Sequence, residues 1–496
     1  MSKAVQPEAL FEIERVLAEP TCRGVPIGST LGPDFVYWLN GTLDCGWIAA
    51  WLARLRYPYH RLFPSACGVR PGDPAISLEK GRLLFTLIDL RPDSADLIIP
   101  VLRTYGPEKC HVLGNVPAMK EHLPLGVGFL PLSQILCFDA GEWRREFARA
   151  APTWRRQLRV VFDKHNLPRG AFPVLMHKLL VHSLCIMGLD HLLDILQPVG
   201  VVTEYDRYDW AACLVLAAKA RGIPTMTMMH GVINPPYGYT PLLADVAFCW
   251  GELQRDQMVA LGTDPRRLAI TGFQRMTREP SAEPRSARAK VALDTEKPVV
   301  LLATAPILHE ARKCLVEAFC QAFVGQTGFS AVVRLHPSEE ISFYAEEIAR
   351  FPSIKFLGNS AWTKDEALAA ADIVIVQDSG FGDDALVKRR LVVVLGVPQT
   401  PLKHGKVLAE QAGCPVARTP EALRNIVAGL LTNPIVANRL RQQAEEYVSY
   451  SYAAFGAEAV TRVCRAVRAR IEKGGAVCNE SDQQSMPVQE LDLNAQ

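Results

Sequence analysis

Several side chains able to hold a phosphate, a sugar hydroxyl or a proton stand directly after short apolar runs in this 496-residue chain. His336-Pro337 follows VVRL, and Arg334, which opens that stretch, is counted with the binding candidates. Proline fixes the backbone and lacks an N–H, so it ends the strand and leaves the histidine at its edge. There an imidazole can donate to a phosphate or a base. Ser379-Gly380 follows DIVIVQD. Small residues let backbone N–H groups come close to a ligand, and a helix beginning near Gly382 would aim its positive end at an anion. Asp383 and Asp384 fall in its first turn, where a carboxylate either accepts from ribose hydroxyls or simply complements the helix dipole.

Glu204–Asp209 reads EYDRYD and follows another apolar run. A general base needs a carboxylate within reach of an acceptor hydroxyl. Glu204 is favoured because it directly follows the strand, while Asp206 and Asp209 read equally well as caps or ion-pair partners. His230-Gly231, with Asn234 and Tyr237 nearby, offers a histidine for a phosphate or hydroxyl and a glycine for close backbone approach. Thr271-Gly272-Phe273 is a strand-to-loop turn expected to line a cleft, and Thr304–Pro306 ends a strand whose backbone would face a donor phosphate. Each of these also has a structural reading: a turn histidine, a packed strand end, a plain turn or a helix start.

The elements that must position these residues alternate between strand and helix. Strands are expected at Leu83–Ile88, Cys110–Leu113, Val127–Leu130, Ile135–Phe138, Gly200–Thr203, Pro224–Met229, Val246–Trp250 and Leu268–Thr271. Helices are expected at Ala95–Tyr105, Glu142–Arg159, Tyr208–Arg221 and Leu253–Leu261, with Gly222 and Gly262 as caps. Residues 277–297 lose apolar periodicity and gain Pro, Ser and charge, a linker signature. A second unit follows, with strands at Pro298–Thr304, Val332–Leu335, Ile373–Val376 and Leu391–Leu395. Helices are expected at Leu308–Phe323, within Gly382–Arg390, at 419–432 and over 433–471. This rhythm describes parallel α/β layers, with ligands at the carboxyl ends of the strands. The expected division is 1–80 as an N-terminal extension, 81–276 and 298–432 as two Rossmann-like domains joined by the linker, 433–471 as one or two helices, and a disordered tail from 472.

Composition narrows the classes. Apolar residues make up 49% and charged residues 21%, with a formal net charge of +2, so nothing here predicts bulk attraction to nucleic acid. The 13 cysteines are dispersed without zinc spacing and read as buried thiols of a reducing compartment. Phe172–Val202 is strongly apolar, but Lys178, His182, Asp190, His191 and Asp194 interrupt it, which argues for a buried helix over a membrane span. The basic face of Glu142–Arg159 reads as solvated, with a partner or an acidic headgroup surface as the lesser alternative. Trp47 and Trp51, one helical turn apart within Phe35–Leu55, read as core or interface anchors.

The succession GIPTMTMMHG, DVAFCWG…LG…LAITG, VVRLHP and DSGFGDDAL with VVVLG resembles glycosyltransferases of the GT-B fold, especially bacterial capsule and surface-polysaccharide transferases. It is also similar to the non-hydrolysing UDP-N-acetylglucosamine 2-epimerases, which share that architecture. The resemblance covers about residues 200–430, and the helices over 433–471 are similar to those that cross back to the first domain in such enzymes. It implies that His336 and Pro337 touch the donor nucleotide, that Ser379 and Gly380 form the donor-phosphate turn, and that Asp384 stands where a ribose-binding Glu is usual. It also implies that His230-Gly231 is the His-Gly of such transferases, and it implies no metal and no cofactor beyond the nucleotide sugar. Phe381 in place of a second Gly, with no Gln following, departs from the epimerase pattern.

The expected activity is transfer of a sugar from a nucleotide-sugar donor to a glycan or lipid-linked acceptor. Glu204 would be the preferred base, and histidines and helix ends would offset charge on the departing phosphate. The alternatives are an epimerase and a non-catalytic nucleotide-sugar binding protein. The expected location is the cytoplasm, with peripheral attachment to the membrane's inner face as an option.

Overall fold

The computed structural model describes residues 7–31, short pieces between 52 and 71, and then 79–475 apart from 91, 136, 234–237, 280–281, 306–308, 359, 398–401 and 403. The expectations for Trp47, Trp51, Asn234, Tyr237, Pro306 and the tail beyond 475 lie outside the described residues. Residues 472–475, expected in a disordered tail, instead end a helix.

The first lobe is a seven-stranded sheet. Its strands are β1 (Leu83–Leu87), β2 (Cys110–Gly114), β3 (Gly128–Pro131), β4 (Gly200–Thr203), β5 (Thr225–Met228), β6 (Val246–Cys249) and β7 (Leu268–Ile270). They lie in the order β3-β2-β1-β4-β5-β6-β7, all parallel. The expected strand at Ile135–Phe138 is shorter: a single helical turn, Leu132–Ile135, precedes a two-residue strand paired with Arg70–Pro71.

Helices of this lobe are α1 (Pro7–Val16), α2 (Pro92–Tyr105), α3 (Ala140–Lys164), α4 (Ala171–Leu196), α5 (Asp209–Ala220) and α6 (Glu252–Ala260). The central four-residue strands β4 and β5 are fully buried, as continuous segments covered on both faces must be. Asp139 caps α3, which buries Trp143, Phe147, Trp154 and Leu158 and leaves Arg145, Arg149, Arg155 and Arg159 on its exposed face. α4 is long and apolar enough to cross a membrane, yet it is the central helix of the core. Three of its interrupting polar groups are paired inside the protein: His182 contacts Thr30 and Asp209, while Asp190 and Asp194 accept from Arg221. The extension is not separate from this lobe. Ile13, Leu17, Val25 and Ile27 are buried in the same core, and Glu14 of α1 pairs with the fully enclosed Arg207.

The second lobe is a six-stranded parallel sheet of β8 (Val299–Ala303), β9 (Ser330–Arg334), β10 (Lys355–Leu357), β11 (Ile373–Val376), β12 (Leu391–Leu395) and β13 (Val416–Ala417). Their order is β10-β9-β8-β11-β12-β13. Its helices are α7 (Pro284–Lys290), α8 (His309–Phe323), α9 (Ala345–Arg350), α10 (Lys364–Ala370), α11 (Phe381–Val387), α12 (His404–Gln411) and α13 (Pro420–Thr432), followed by α14 (Pro434–Ser451) and α15 (Gly456–Gly475).

The expected linker is more ordered than its composition suggested. Glu283 caps α7 through Arg285 N–H and Ser286 N–H, Trp362 donates to the Ala287 carbonyl, and Arg288 pairs with Asp372. The segment loses periodicity because it is held by ion pairs and a buried indole, not by an apolar stripe. α15 packs on the first lobe beside α2, placing Val460, Val463 and Val467 in that core. In both sheets the strand order reverses between the first and fourth strands, and ligands of such sheets sit outside the carboxyl ends at that reversal.

Candidate functional site

At the carboxyl edge of the second lobe, one buried carboxylate organises the RLHPSEE turn. Glu339 accepts from the His336 N–H at 2.9 Å, the Arg312 guanidinium at 3.0 Å and the Tyr344 hydroxyl at 3.0 Å, and it also bonds the Thr304 hydroxyl. The His336 N–H also points at Thr304 Oγ1, 2.8 Å away. Burial pushes the Glu339 carboxyl up, but these donors outweigh it and hold it below the usual carboxylate range. Glu339 was not singled out in the sequence. Its signal was an acid three residues after His336, the spacing at which a carboxylate reaches back to a backbone N–H, as in a capping box.

The turn fixes the imidazole. His336 Nδ1 accepts from the Ser338 N–H at 3.2 Å and lies 2.8 Å from the Ser338 hydroxyl. A neutral ring that accepts at Nδ1 carries its proton on Nε2. Pro337 is exposed beside it.

Arg334 ties this turn to the next. Its guanidinium lies over the Phe381 ring, 5.4 Å from the centroid, and its buried Nε has no hydrogen-bond partner. Among the described residues no carboxylate pairs with it, and burial lowers its pKa. Phe381 follows Ser379-Gly380. The Ser379 hydroxyl accepts from the Phe381 N–H at 3.2 Å, and Gly380 is exposed with nothing within 4 Å of where a Cβ would stand. Gln377, at the strand reversal, is 0% exposed and neither atom of its amide has a partner. Thr304, Arg334, His336, Pro337, Ser379 and Gly380 thus form one group.

Asp384 does not share that open edge. It is buried and bonded to Lys364 at 2.5 Å, and burial raises its pKa against the pull of Lys364. Asp383 accepts from Tyr447 of α14 at 2.8 Å. Both acids turn into the protein because the start of α11 is itself buried and its carboxylates need internal partners.

Glu204 stands at the strand reversal of the first lobe, but it is only 1% exposed. Its carboxylate accepts from the Ile88 N–H and lies 2.8 Å from the Thr86 hydroxyl. Burial pushes it up to about 7 despite those bonds. The carboxylates of EYDRYD, expected to face one cleft, therefore do not share an open face. Asp206 accepts from the Leu243 and Ala244 N–H groups, and Asp209 is held by His182. Chain polarity places these residues at the right edge, but packing turns Glu204 and Asp206 inward, while Asp209 keeps a partly exposed side chain bonded to His182.

His230 is half-buried in an aromatic group. Its ring stacks on Tyr239 (5.1 Å, 18°) and meets Tyr205 at 4.3 Å, with Tyr239 Oη 3.3 Å from Nε2. The Gly231 carbonyl accepts from Gln254 at 3.0 Å. Gly272 is a correction of a different kind. At φ 100°, a Cβ there would stand 2.6 Å from the Ala454 carbonyl oxygen. Its neighbour Phe273 donates to that carbonyl at 2.8 Å. Gly272 admits the segment between α14 and α15 and does not line the cleft.

A cavity of about 240 Å³ lies between the lobes. Its walls include Val232 and Ile233, directly after His230-Gly231, and Val407 of α12, where the Gly405 N–H is held by Asp378 at 2.8 Å. His230, His336 and Ser379 are not among its lining residues.

No protein-family model and no curated protein matches this chain. Solved structures do. It is similar to a putative UDP-N-acetylglucosamine 2-epimerase from Listeria monocytogenes, with TM-score 0.51 and 13% identity over 79% of this chain and 97% of that one. It is also similar to S. aureus MnaA in its UDP co-structure, with TM-score 0.50 and 13% identity over 79% and 97%. These likenesses show the fold, two Rossmann-like lobes of GT-B type, as the order of motifs implied.

Proposed function

We propose that this protein is a nucleotide-sugar-dependent glycosyltransferase of GT-B type, acting on a glycan or lipid-linked acceptor in surface-polysaccharide synthesis in the cytoplasm. The observation that carries the reading is the second-lobe edge. There a carboxylate-free Arg334, an oriented His336 and the open Ser379-Gly380 turn face the end of one sheet. Such a cluster suits the diphosphate of a nucleotide sugar, which is also the class of ligand that the S. aureus co-structure holds.

In this reading the acceptor hydroxyl attacks the anomeric carbon and the bond from that carbon to the phosphate oxygen breaks. The nucleoside diphosphate leaves with the bonding pair. His336, donating through Nε2–H, and Arg334 stabilise its developing charge. The acceptor proton passes to His230, which is half-exposed, rather than to the enclosed Glu204. No step requires a metal or another cofactor.

The test is a thermal-shift series with UDP, CMP, GDP and CDP, followed by turnover with matching nucleotide sugars and acceptors. Nucleotide release that requires acceptor, abolished by His336→Ala, is the expected result. Interconversion of the sugar without acceptor would make the protein an epimerase. Nucleotide binding without any turnover would make it a binding protein.

A further inference from the structure

The cavity between the lobes carries features that the nucleotide-binding edge does not explain. Val232, Ile233, Trp250, Val407, Tyr447 and Ser451 are among its walls, and among the described residues no charged side chain lines it. A diphosphate is therefore not its occupant, because nothing there would replace the lost hydration of the charges. At about 240 Å³ it exceeds the roughly 150 Å³ at which an apolar cavity takes up benzene. Its aromatic walls favour a ring, through offset and edge contacts.

One wall group points to a ligand. Ser451 is 4% exposed; its buried Oγ lies beside the Tyr447 hydroxyl, which gives its own proton to Asp383 at 2.8 Å, so among the described residues no group donates to Ser451. Buried hydroxyls are normally paired. The neighbouring polar group shows the contrast. Gln254 also lines the cavity, but its Oε1 accepts from the Trp250 N–H at 2.8 Å and its Nε2 donates to the Gly231 carbonyl at 3.0 Å. The cavity thus offers one hydroxyl that still lacks a donor, in an uncharged chamber whose other polar groups are amides and tyrosine hydroxyls. It adjoins the loop that carries His230 on one lobe and the helix anchored by Asp378 on the other.

We propose that this cavity binds an uncharged, ring-sized group carrying one hydrogen-bonding atom, anchored on Ser451, and that this group is the non-sugar end of the acceptor. The assignment to the acceptor rests on the transferase reading above. The occupied cavity would hold the acceptor from its aglycone and leave its sugar at the His230 loop.

The test uses 4-fluorobenzyl alcohol as the probe, titrated by fluorine NMR against the full-length protein, with UDP binding followed by thermal shift on the same samples. Saturable broadening is expected. Filling the cavity from opposite walls, with Val407→Trp or Ile233→Trp, should abolish it. Ser451→Ala should weaken it about 3–10-fold, the loss of one hydrogen bond. Circular dichroism and retained UDP binding identify variants that remain folded. No broadening, or broadening unchanged in both tryptophan variants, overturns the site while UDP binding leaves the transferase reading standing. An unchanged affinity in Ser451→Ala overturns the anchor. Probe binding without binding of any nucleotide overturns the assignment to an acceptor.

Discussion

Glu204 Oε2 and Thr86 Oγ1 lie 2.8 Å apart across the strand reversal of the first lobe. The same Thr86 oxygen lies 2.9 Å from Thr203 Oγ1. Two proton relays satisfy both contacts: Thr203 donates to Thr86, which donates to an ionised Glu204, or a protonated Glu204 donates to Thr86, which donates to Thr203. Burial, which pushes the carboxyl from 4.5 to about 7, favours the second relay below that value.

The pH dependence follows from that raised value. The folded state binds more protons than the unfolded chain between about 4.5 and 7. The contribution of Glu204 is therefore present at low pH and lost as pH rises through that window, by roughly 3 kcal/mol in all. Glu204→Gln mimics the protonated form. It should leave the urea midpoint nearly unchanged at pH 5 and raise it at pH 8. Equal effects at both pH values would refute the protonated arrangement.

Glu339 should behave with the opposite sign. Its folded pKa is lowered, so its contribution is present above its unfolded value and lost as pH falls through the folded one. Glu339→Ala strands Arg312, Thr304 and the His336 N–H, and should cost about 3–5 kcal/mol in chemical denaturation. Glu339→Gln keeps the shape and should cost less.

Arg334 lacks a carboxylate partner, so its burial costs stability that only an anion can return. Arg334→Met should hold Tm or raise it, by roughly 2–4 °C if about 1 kcal/mol is recovered. Nucleotide affinity should fall at least about tenfold, one charge-assisted contact's worth. A loss of stability with affinity intact would show that the cation supports only the fold.

Two glycines should separate packing from binding. Gly272→Ala meets both a φ of 100° and the Ala454 carbonyl, and should destabilise by about 1–3 kcal/mol. Gly380→Ala has an ordinary φ of −61° and open space. It should stay within about 0.5 kcal/mol of the parent while weakening nucleotide binding, read by calorimetry.

The sequence by itself determined the strand and helix rhythm, the parallel sheets and the set of residues standing at strand ends. Those properties are written locally, in apolar runs, glycine stops and the proline of His336-Pro337. It also marked α4 as a core helix, since the polar groups that interrupt it require partners inside the protein. Tertiary structure alone decided which strand-end groups stay open. Glu204 is closed by Thr86, 118 positions away; Asp384 is closed by Lys364, and Gly272 by the returning chain at Ala454. Among the described residues Arg334 is left without a carboxylate for the same reason. A side chain's partners come from whichever distant segment packs against it, and no local pattern records that choice.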